Sequence, residues 1–125
     1  MKNLAHILVC EDNEAILLIT TIALESEGFV VEKARTTNEI FLKLNNETKP
    51  LLILLDLNLP EGGGASVIQQ LRNREDTKNI PIILFSGEKK LEEIAAGLQV
   101  DGFLHKPFDI ADLKTITQKF IKNVF

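Results

Sequence analysis

The amino-acid sequence predicts an α/β fold, a single-domain, doubly wound, five-stranded parallel sheet with five helices. Short apolar runs alternate five times with stretches whose apolar residues recur at helical spacing. The central run, residues 51–55, has no polar alternation, which is typical of a parallel strand buried on both faces. Right-handed crossovers then place helices on both faces of the sheet. At 125 residues the chain fits one domain, residues 1–125, that buries roughly two-thirds of its unfolded surface.

The first strand is predicted at residues 6–10, an apolar run that stops abruptly at Glu11. A helix is predicted from Glu14, and Gly28 provides its C-terminal stop. The apolar positions of this helix that we expect in the core are Ile16, Ile19, Ala23 and Leu24.

The second strand, residues 29–31, continues into polar residues and is predicted at an edge of the sheet. Thr36 and Glu39 have the spacing of a capping box, which starts the second helix. The third strand is residues 51–55, and a loop is expected at the glycines 62–64 before the third helix. The core positions predicted for these two helices are Ile40, Phe41 and Leu44, followed by Val67, Ile68 and Leu71.

Pro81 cannot donate to a sheet ladder, so the fourth strand is predicted to run over residues 82–85 and to stop at Ser86. The fifth strand is short, residues 103–104, and Asp109 is a good N-cap for the last helix. The expected core positions are Leu91, Ile94, Ala95 and Leu98 in the fourth helix, and Ile110, Leu113, Ile116, Phe120 and Ile121 in the fifth.

The composition excludes several classes of protein. A formal charge of −4 argues against a nucleic-acid footprint and direct DNA binding. No apolar run is long enough to span a membrane, and no signal peptide precedes the domain, so we expect a cytoplasmic protein. The start at Met1 favours a stand-alone protein over a piece of a larger one. The single Cys10 excludes an internal disulfide and is predicted to be a buried small hydrophobe.

Polar residues follow four of the five strands, and the carboxyl ends of parallel strands meet at one sheet edge. Glu11 and Asp12 follow the first strand, and Asp56 follows the third. Three carboxylates this close would repel one another unless a cation lay among them, and all-oxygen ligands suit Mg²⁺. With Ser86 and Lys106 at the next two strand ends, the site has the groups that phosphoryl transfer to a carboxylate needs.

The chain resembles a response-regulator receiver domain of two-component signalling, of the chemotaxis-regulator-like kind, over essentially its whole length. This resemblance implies a flavodoxin-like strand order of 2-1-3-4-5. It is specific because each motif lies at a different strand end, in the family's order. The matching segments are residues 7–13, 55–60, 82–86 and 106–108.

The resemblance implies that Asp56 accepts a phosphoryl group from a sensor histidine kinase or phosphotransfer protein. Ser86 would bind the phosphoryl group and Phe103 would follow as an aromatic switch, changing the surface of the fourth helix, fifth strand and fifth helix for a downstream protein partner. Such a domain is not an enzyme beyond assisting its own phosphorylation and dephosphorylation, and a phosphorylation-dependent dimer stays open. The implied Mg²⁺ ligands are Glu11, Asp12, Asp56 and the backbone carbonyl of Asn58, and Lys106, before a cis Pro107, would bind phosphate.

Some residues depart from the family's usual pattern. Glu11 replaces the commoner aspartate, which lengthens the arm and favours a water-mediated metal contact. Phe103 replaces a frequent tyrosine, and residues 62–63 replace an apolar residue and an aspartate or asparagine, so we expect a looser loop. Gly87 replaces the usual alanine, and we expect Glu88 to lean over the site and influence water access, so these changes are expected to alter switching kinetics more than the ability to be phosphorylated.

Alternative functions also follow from this pattern. A magnesium-dependent nuclease or phosphatase would want a second acid at Asn58, and a dinucleotide-binding domain would want glycines where Glu11 begins an acidic run. A non-phosphorylatable interaction module of the same fold stays open. Each site residue also has a purely structural interpretation: the acids as helix N-terminal charges, Lys106 as a surface lysine, Ser86 as a turn residue and Phe103 as fixed core.

Overall fold

The computed structural model describes residues 6–60 and 63–121, which form one parallel sheet with helices on both faces. The strands lie in the order β2-β1-β3-β4-β5. They are β1 His6–Cys10, β2 Val30–Ala34, β3 Leu52–Asp56, β4 Ile82–Ser86 and β5 Gly102–His105. The helices are α1 Glu14–Glu25, α2 Thr37–Leu44, α3 Gly63–Arg72, α4 Leu91–Ala96 and α5 Ile110–Phe120. Within the described residues, no helix is long and apolar enough to cross a membrane.

Two apolar clusters cover the two faces of the sheet. One packs α2, α3 and α4 on side chains such as Leu8, Ile53 and Leu84, and the other packs α1 and α5 on side chains such as Leu54 and Phe85. Every residue of β3 and β4 is buried, because these strands lie inside the sheet and have helices on both sides. β2 is half-exposed at its edge, as its polar sequence predicted.

The sheet register places the carboxyl ends of the strands beside one another. Cys10 pairs with Leu55, so the residues after β1 lie beside the end of β3. Asp56 pairs with Phe85, one residue before Ser86. Ser86 in turn pairs with His105, directly before Lys106. The residues predicted to form a site therefore meet at one edge, although they are far apart in the sequence.

The helix caps follow the sequence only in part. The Thr36 hydroxyl accepts the Glu39 N–H at 3.1 Å, as a capping box requires. The Glu39 carboxylate, however, accepts the N–H of Arg35 at 2.8 Å rather than that of Thr36, so the second half of the box is shifted by one residue. Asp109 occupies the N-cap position of α5, but its side chain makes no capping hydrogen bond.

Three of the predicted core positions are wrong or differ in part. Ile19 is 49% exposed, and Leu17 is buried in its place. The cause is that α1 carries apolar residues on nearly every side, so periodicity alone does not identify its buried face. Ile110 is exposed at the start of α5. Leu98 packs against the core, but it lies past the end of α4 at Ala96.

The glycines after β3 behave differently from the expected loop. Gly62 lies outside the described residues, whereas Gly63, with φ of 70°, and Gly64 begin α3. The N–H of Gly64 donates to the Leu57 carbonyl at 2.8 Å. A Cβ on Gly64 would lie 2.9 Å from both the Asp56 carbonyl oxygen and the Leu57 Cα, which is too close for any side chain. Gly64 therefore lets α3 start directly against the end of β3.

Candidate phosphoacceptor site

Three carboxylates converge at the carboxyl edge of the sheet. Glu11 and Asp12 follow β1, Asp56 ends β3, and carboxylate oxygens from all three lie within 4.8 Å of one another. Glu11 and Asp56 are buried, whereas Asp12 is exposed. The Glu11 N–H donates to the carbonyl of Ala34 at 3.0 Å, which continues the β1–β2 pairing by one residue and directs this side chain inward. The structure thus brings together the acids that the sequence placed at two separate strand ends.

Lys106 provides positive charge to this acidic cluster. Its Nζ lies 2.7 Å from Glu11 Oε1 and 3.4 Å from Asp56 Oδ1. The ammonium also lies over the Phe85 ring, 5.0 Å from its centroid, in a cation–π contact. The Lys106 N–H donates to the Ser86 carbonyl at 2.8 Å and anchors the end of β5. The peptide bond that follows Lys106 is cis, as the resemblance implied.

The cluster has more negative than positive charge. Burial raises the pKa of the Glu11 carboxyl, the Asp56 charge adds to this effect, and contacts with Lys106 and the Asn13 N–H oppose it. A carboxyl whose folded-state pKa is raised stabilises the fold at low pH, and this stabilisation is lost as the pH rises through that pKa. The Glu11 carboxylate therefore makes the fold less stable at neutral pH than at low pH, mainly because it is buried. Burial likewise raises the pKa of the Cys10 thiol, with the Asp56 charge as the second cause, so Cys10 is the buried hydrophobe that was predicted.

The donor set fits a hard divalent cation. It consists of carboxylate oxygens beside a backbone turn, with an exposed acid, Asp12, at its open side. Both oxygens of Glu11 already contact protein groups, since Oε1 faces Lys106 and Oε2 accepts the Asn13 N–H at 2.9 Å. Asp12 and Asp56 are therefore better placed than Glu11 for direct contact with an ion.

Ser86 is connected to the acidic cluster through Asn58. The Asn58 N–H donates to Asp56 Oδ1 at 3.1 Å, and its side-chain Nδ2 donates to Ser86 Oγ at 3.3 Å. The Glu88 N–H donates to the same Ser86 oxygen at 3.0 Å. The sequence assigned only the backbone carbonyl of Asn58 to the site. The side-chain contact spans 28 positions and depends on the pairing of β3 with β4, so no local pattern indicates it.

The predicted switch and modulating residues lie around this site rather than within the acidic cluster. Phe103 is half-buried on β5 and pairs with Leu84, while its ring meets the His105 ring edge-on at 6.1 Å. Gly87 and Glu88 are exposed directly after β4. A Cβ on Gly87 would have no other atom within 4 Å, so this position has open space around it.

An exposed apolar surface lies on the helix that starts beside the site. Leu18, Ile19 and Ile22 of α1 are 59%, 49% and 56% exposed and share one side of the helix. We call these three residues the α1 apolar face. The sequence did not predict it, because Ile19 was expected in the core. These exposed side chains form an apolar surface on α1 that the described residues leave uncovered.

A model of the response regulator receiver domain matches residues 7–118 of the chain. The chain belongs to this family. The resemblance seen in the sequence is thereby confirmed, and the receiver domain is a signalling domain of two-component systems rather than a classical enzyme.

Curated relatives agree with this family. The receiver domain is 35% identical over 108 residues to the CAI-1 autoinducer sensor kinase/phosphatase CqsS of Vibrio cholerae, covering 83% of this chain and 16% of that protein. It is 34% identical over 113 residues to the KDP operon transcriptional regulatory protein KdpE of Escherichia coli, covering 89% and 48%. The chain therefore spans about half, or less, of the length of these relatives.

Solved structures have the same fold. A receiver domain protein from Methanospirillum hungatei superposes with a TM-score of 0.80 at 29% identity, covering 94% of each chain. The receiver domain of a sensor histidine kinase from Pseudomonas aeruginosa superposes with a TM-score of 0.84 at 25% identity, covering 93% of this chain and 96% of that one. That structure has a magnesium ion coordinated in its active site cleft. The predicted fold class and strand order are confirmed.

Proposed function

We propose that this receiver domain, over residues 1–125, accepts a phosphoryl group on Asp56 from a sensor histidine kinase or a phosphotransfer protein in the cytoplasm. The observation that carries this proposal is the position of the Asp56 carboxylate. It is 3% exposed at the end of β3, lies 3.4 Å from the Lys106 ammonium, and is grouped with two other carboxylates. An acid buried among acids destabilises a fold, so its placement there is explained best by chemistry at the site.

The contacts of Asp56 assign a part to each of its oxygens. Oδ1 accepts the Asn58 N–H and faces the Lys106 ammonium, so we take Oδ1 as the oxygen that would also contact a metal ion and Oδ2 as the nucleophile. Oδ2 attacks the phosphorus of a phosphohistidine in line. The new O–P bond forms while the P–N bond breaks, and its electron pair leaves with the imidazole nitrogen. Lys106 then offsets negative charge on the phosphoryl oxygens, and the Ser86 hydroxyl donates its proton in a hydrogen bond to one of them.

Mg²⁺ is the cofactor that fits the donor set. Asp12, Asp56 and the backbone carbonyl of Asn58 would hold it directly, and Glu11 would contribute through a water because both its oxygens have protein partners. When bound, the ion compensates the excess negative charge and that of the incoming phosphoryl group. The magnesium in the cleft of the Pseudomonas receiver domain supports this choice.

The test is incubation with Mg²⁺ and phosphoramidate, followed by the intact mass. Wild type is expected to gain the mass of one phosphoryl group, and Asp56→Asn is expected to gain none. Asp112→Asn, which removes an exposed carboxyl on α5, serves as the control and should be labelled like wild type. No added mass, or equal labelling of Asp56→Asn, would contradict the proposal. In the case of no added mass, the fold would act as a non-phosphorylatable interaction module.

The α1 apolar face is the surface on which we expect the phosphodonor protein to dock, because α1 begins two residues after Asp12. Ile22→Glu is expected to slow transfer from a histidine kinase by about tenfold or more, since it places a charge in an apolar contact. Labelling by phosphoramidate needs no docking and should change little. The measurement is the rate of phosphoryl transfer from the purified kinase that phosphorylates wild type fastest in a panel.

Leu42→Glu is the matched control for this prediction. Leu42 is 65% exposed on α2, which packs on the opposite face of the sheet from α1. Its replacement should leave both rates unchanged. Equal slowing by Ile22→Glu and Leu42→Glu, or no slowing by either, would show that the donor docks elsewhere.

The output of the domain is proposed to be a change in the surface formed by α4, β5 and α5, recognised by a downstream protein partner. Ser86 lies at the end of β4, and the neighbouring strand β5 carries Phe103 on this surface. Movement of Ser86 toward a phosphoryl group would alter the space available to the Phe103 ring. Glu88, exposed two residues after Ser86, is placed to influence access of water to the phosphoryl group. A phosphorylation-dependent dimer stays a prediction.

A further inference from the structure

The Ser86 hydroxyl is held by two N–H donors from two different loops. Its Oγ accepts the Glu88 N–H at 3.0 Å and the Asn58 Nδ2 at 3.3 Å, and the residue is fully buried. A hydroxyl oxygen has two lone pairs and one proton. Both acceptor positions are therefore occupied in this arrangement, and the proton is what Ser86 can still offer to another group.

Asn58 contacts both parts of the proposed switch. Its backbone N–H donates to Asp56 Oδ1, and its side chain donates to Ser86, which belongs to the neighbouring strand. Asn58 itself is exposed, so water competes for its amide and the contact with Ser86 can break at modest cost. A Cβ on Gly87 would meet no atom within 4 Å outside its chain neighbours, so the chain directly after Ser86 is not packed on that side.

We propose that Asn58 is a positioning residue whose side-chain amide holds Ser86 in its resting place. A phosphoryl group on Asp56 must then draw Ser86 away from the Asn58 amide. The inference rests on the proposed function of Asp56 and extends it to a residue whose side chain had no role there. Because the contact stabilises the resting arrangement alone, its loss shifts the equilibrium toward the phosphorylated arrangement.

The first experiment measures the affinity for beryllofluoride in the presence of Mg²⁺, by NMR titration. Loss of one such hydrogen bond in Asn58→Ala is expected to tighten binding about two- to tenfold. In a Ser86→Ala background, which lacks the acceptor, Asn58→Ala should cause no further change. Unchanged or weaker binding by Asn58→Ala, or an equal effect in both backgrounds, would overturn the proposal.

The second experiment uses the resting protein without phosphodonor or mimic. Asn58→Ala releases Ser86, so exchange of the Glu88 N–H with solvent should accelerate about two- to tenfold. The Ile82 N–H, which donates to the Asp101 carboxylate at 2.8 Å, is the internal control and should not change. If Asn58→Ala leaves the exchange rate of the Glu88 N–H unchanged, Asn58 does not hold Ser86, whether or not Asp56 can be phosphorylated. If exchange accelerates but the wild-type protein gains no phosphoryl mass, Asn58 does hold Ser86 and the proposed phosphorylation of Asp56 is wrong.

Discussion

Lys106→Met is expected to slow phosphorylation of Asp56 by phosphoramidate about 10²–10³-fold, the usual cost of losing one group that stabilises transition-state charge. The reason is the placement of Nζ, 2.7 Å from Glu11 Oε1 and 3.4 Å from Asp56 Oδ1, where an incoming phosphoryl group must also fit. Methionine keeps the length and the apolar stem of the side chain and removes the charge. The measurement is the initial rate of mass gain at saturating Mg²⁺.

Mg²⁺ affinity separates this effect from misfolding. Removal of the Lys106 charge makes the net charge of the site more negative. The variant should therefore bind Mg²⁺ at least as tightly as wild type, while it is phosphorylated more slowly. Lys114→Met is the matched control. Lys114 lies on α5 and its Nζ pairs with Glu27 Oε2 at 3.6 Å, away from the site, so this variant should be phosphorylated at the wild-type rate. A loss smaller than tenfold for Lys106→Met, or a parallel loss of Mg²⁺ binding, would count against the assigned role.

Gly64→Ala is expected to destabilise the fold by about 1–3 kcal/mol, as overpacking of a close contact does. The added Cβ would lie 2.9 Å from the Asp56 carbonyl oxygen and the Leu57 Cα, and neither backbone atom can move without shifting the end of β3. For a chain of this size the thermal midpoint should fall by roughly 4–10 °C. Thermal unfolding in metal-free buffer measures this change directly.

Gly87→Ala is the matched control on the other side of the site. With no atom within 4 Å of the added Cβ, this variant should be as stable as wild type or up to about 1 kcal/mol more stable, since alanine restricts the unfolded chain. It should also slow hydrogen exchange around residues 86–91, because it removes backbone freedom after the switch residue. Similar midpoints for Gly64→Ala and Gly87→Ala would show that α3 can retreat from β3 at little cost.

Much of the fold could be predicted because its signals are local. The unbroken apolar run at residues 51–55, most of which lies in β3, is typical of a strand buried on both faces of a parallel sheet. Thr36 at the N-cap of α2 could be recognised from its spacing to Glu39 alone. The apolar positions of α1 failed because leucine and isoleucine surround that helix, and which of them turn inward depends on the packing of α1 against the sheet and α5.

The site could be predicted to a similar extent. Parallel strands direct their carboxyl ends to one edge, so Glu11, Asp12, Asp56 and Lys106 could be grouped from sequence. The direct contact of Lys106 with Glu11, and the link from Asn58 to Ser86, could not, because each joins side chains from strands that are distant in sequence. The exposure of the α1 apolar face could not be predicted either, because apolar residues surround that helix.

By itself the sequence determined the class of this protein and the residue types of its site, because strand ends and their polar residues are encoded locally. Only the tertiary structure decided which of the three acids the lysine pairs with, where Gly64 leaves no room, and which donors hold Ser86. The contacts of Lys106 and the link from Asn58 to Ser86 depend on the register of β1, β3, β4 and β5, which brings groups separated by tens of residues to within a few ångströms. The lack of room at Gly64 depends on how closely α3 starts against the end of β3.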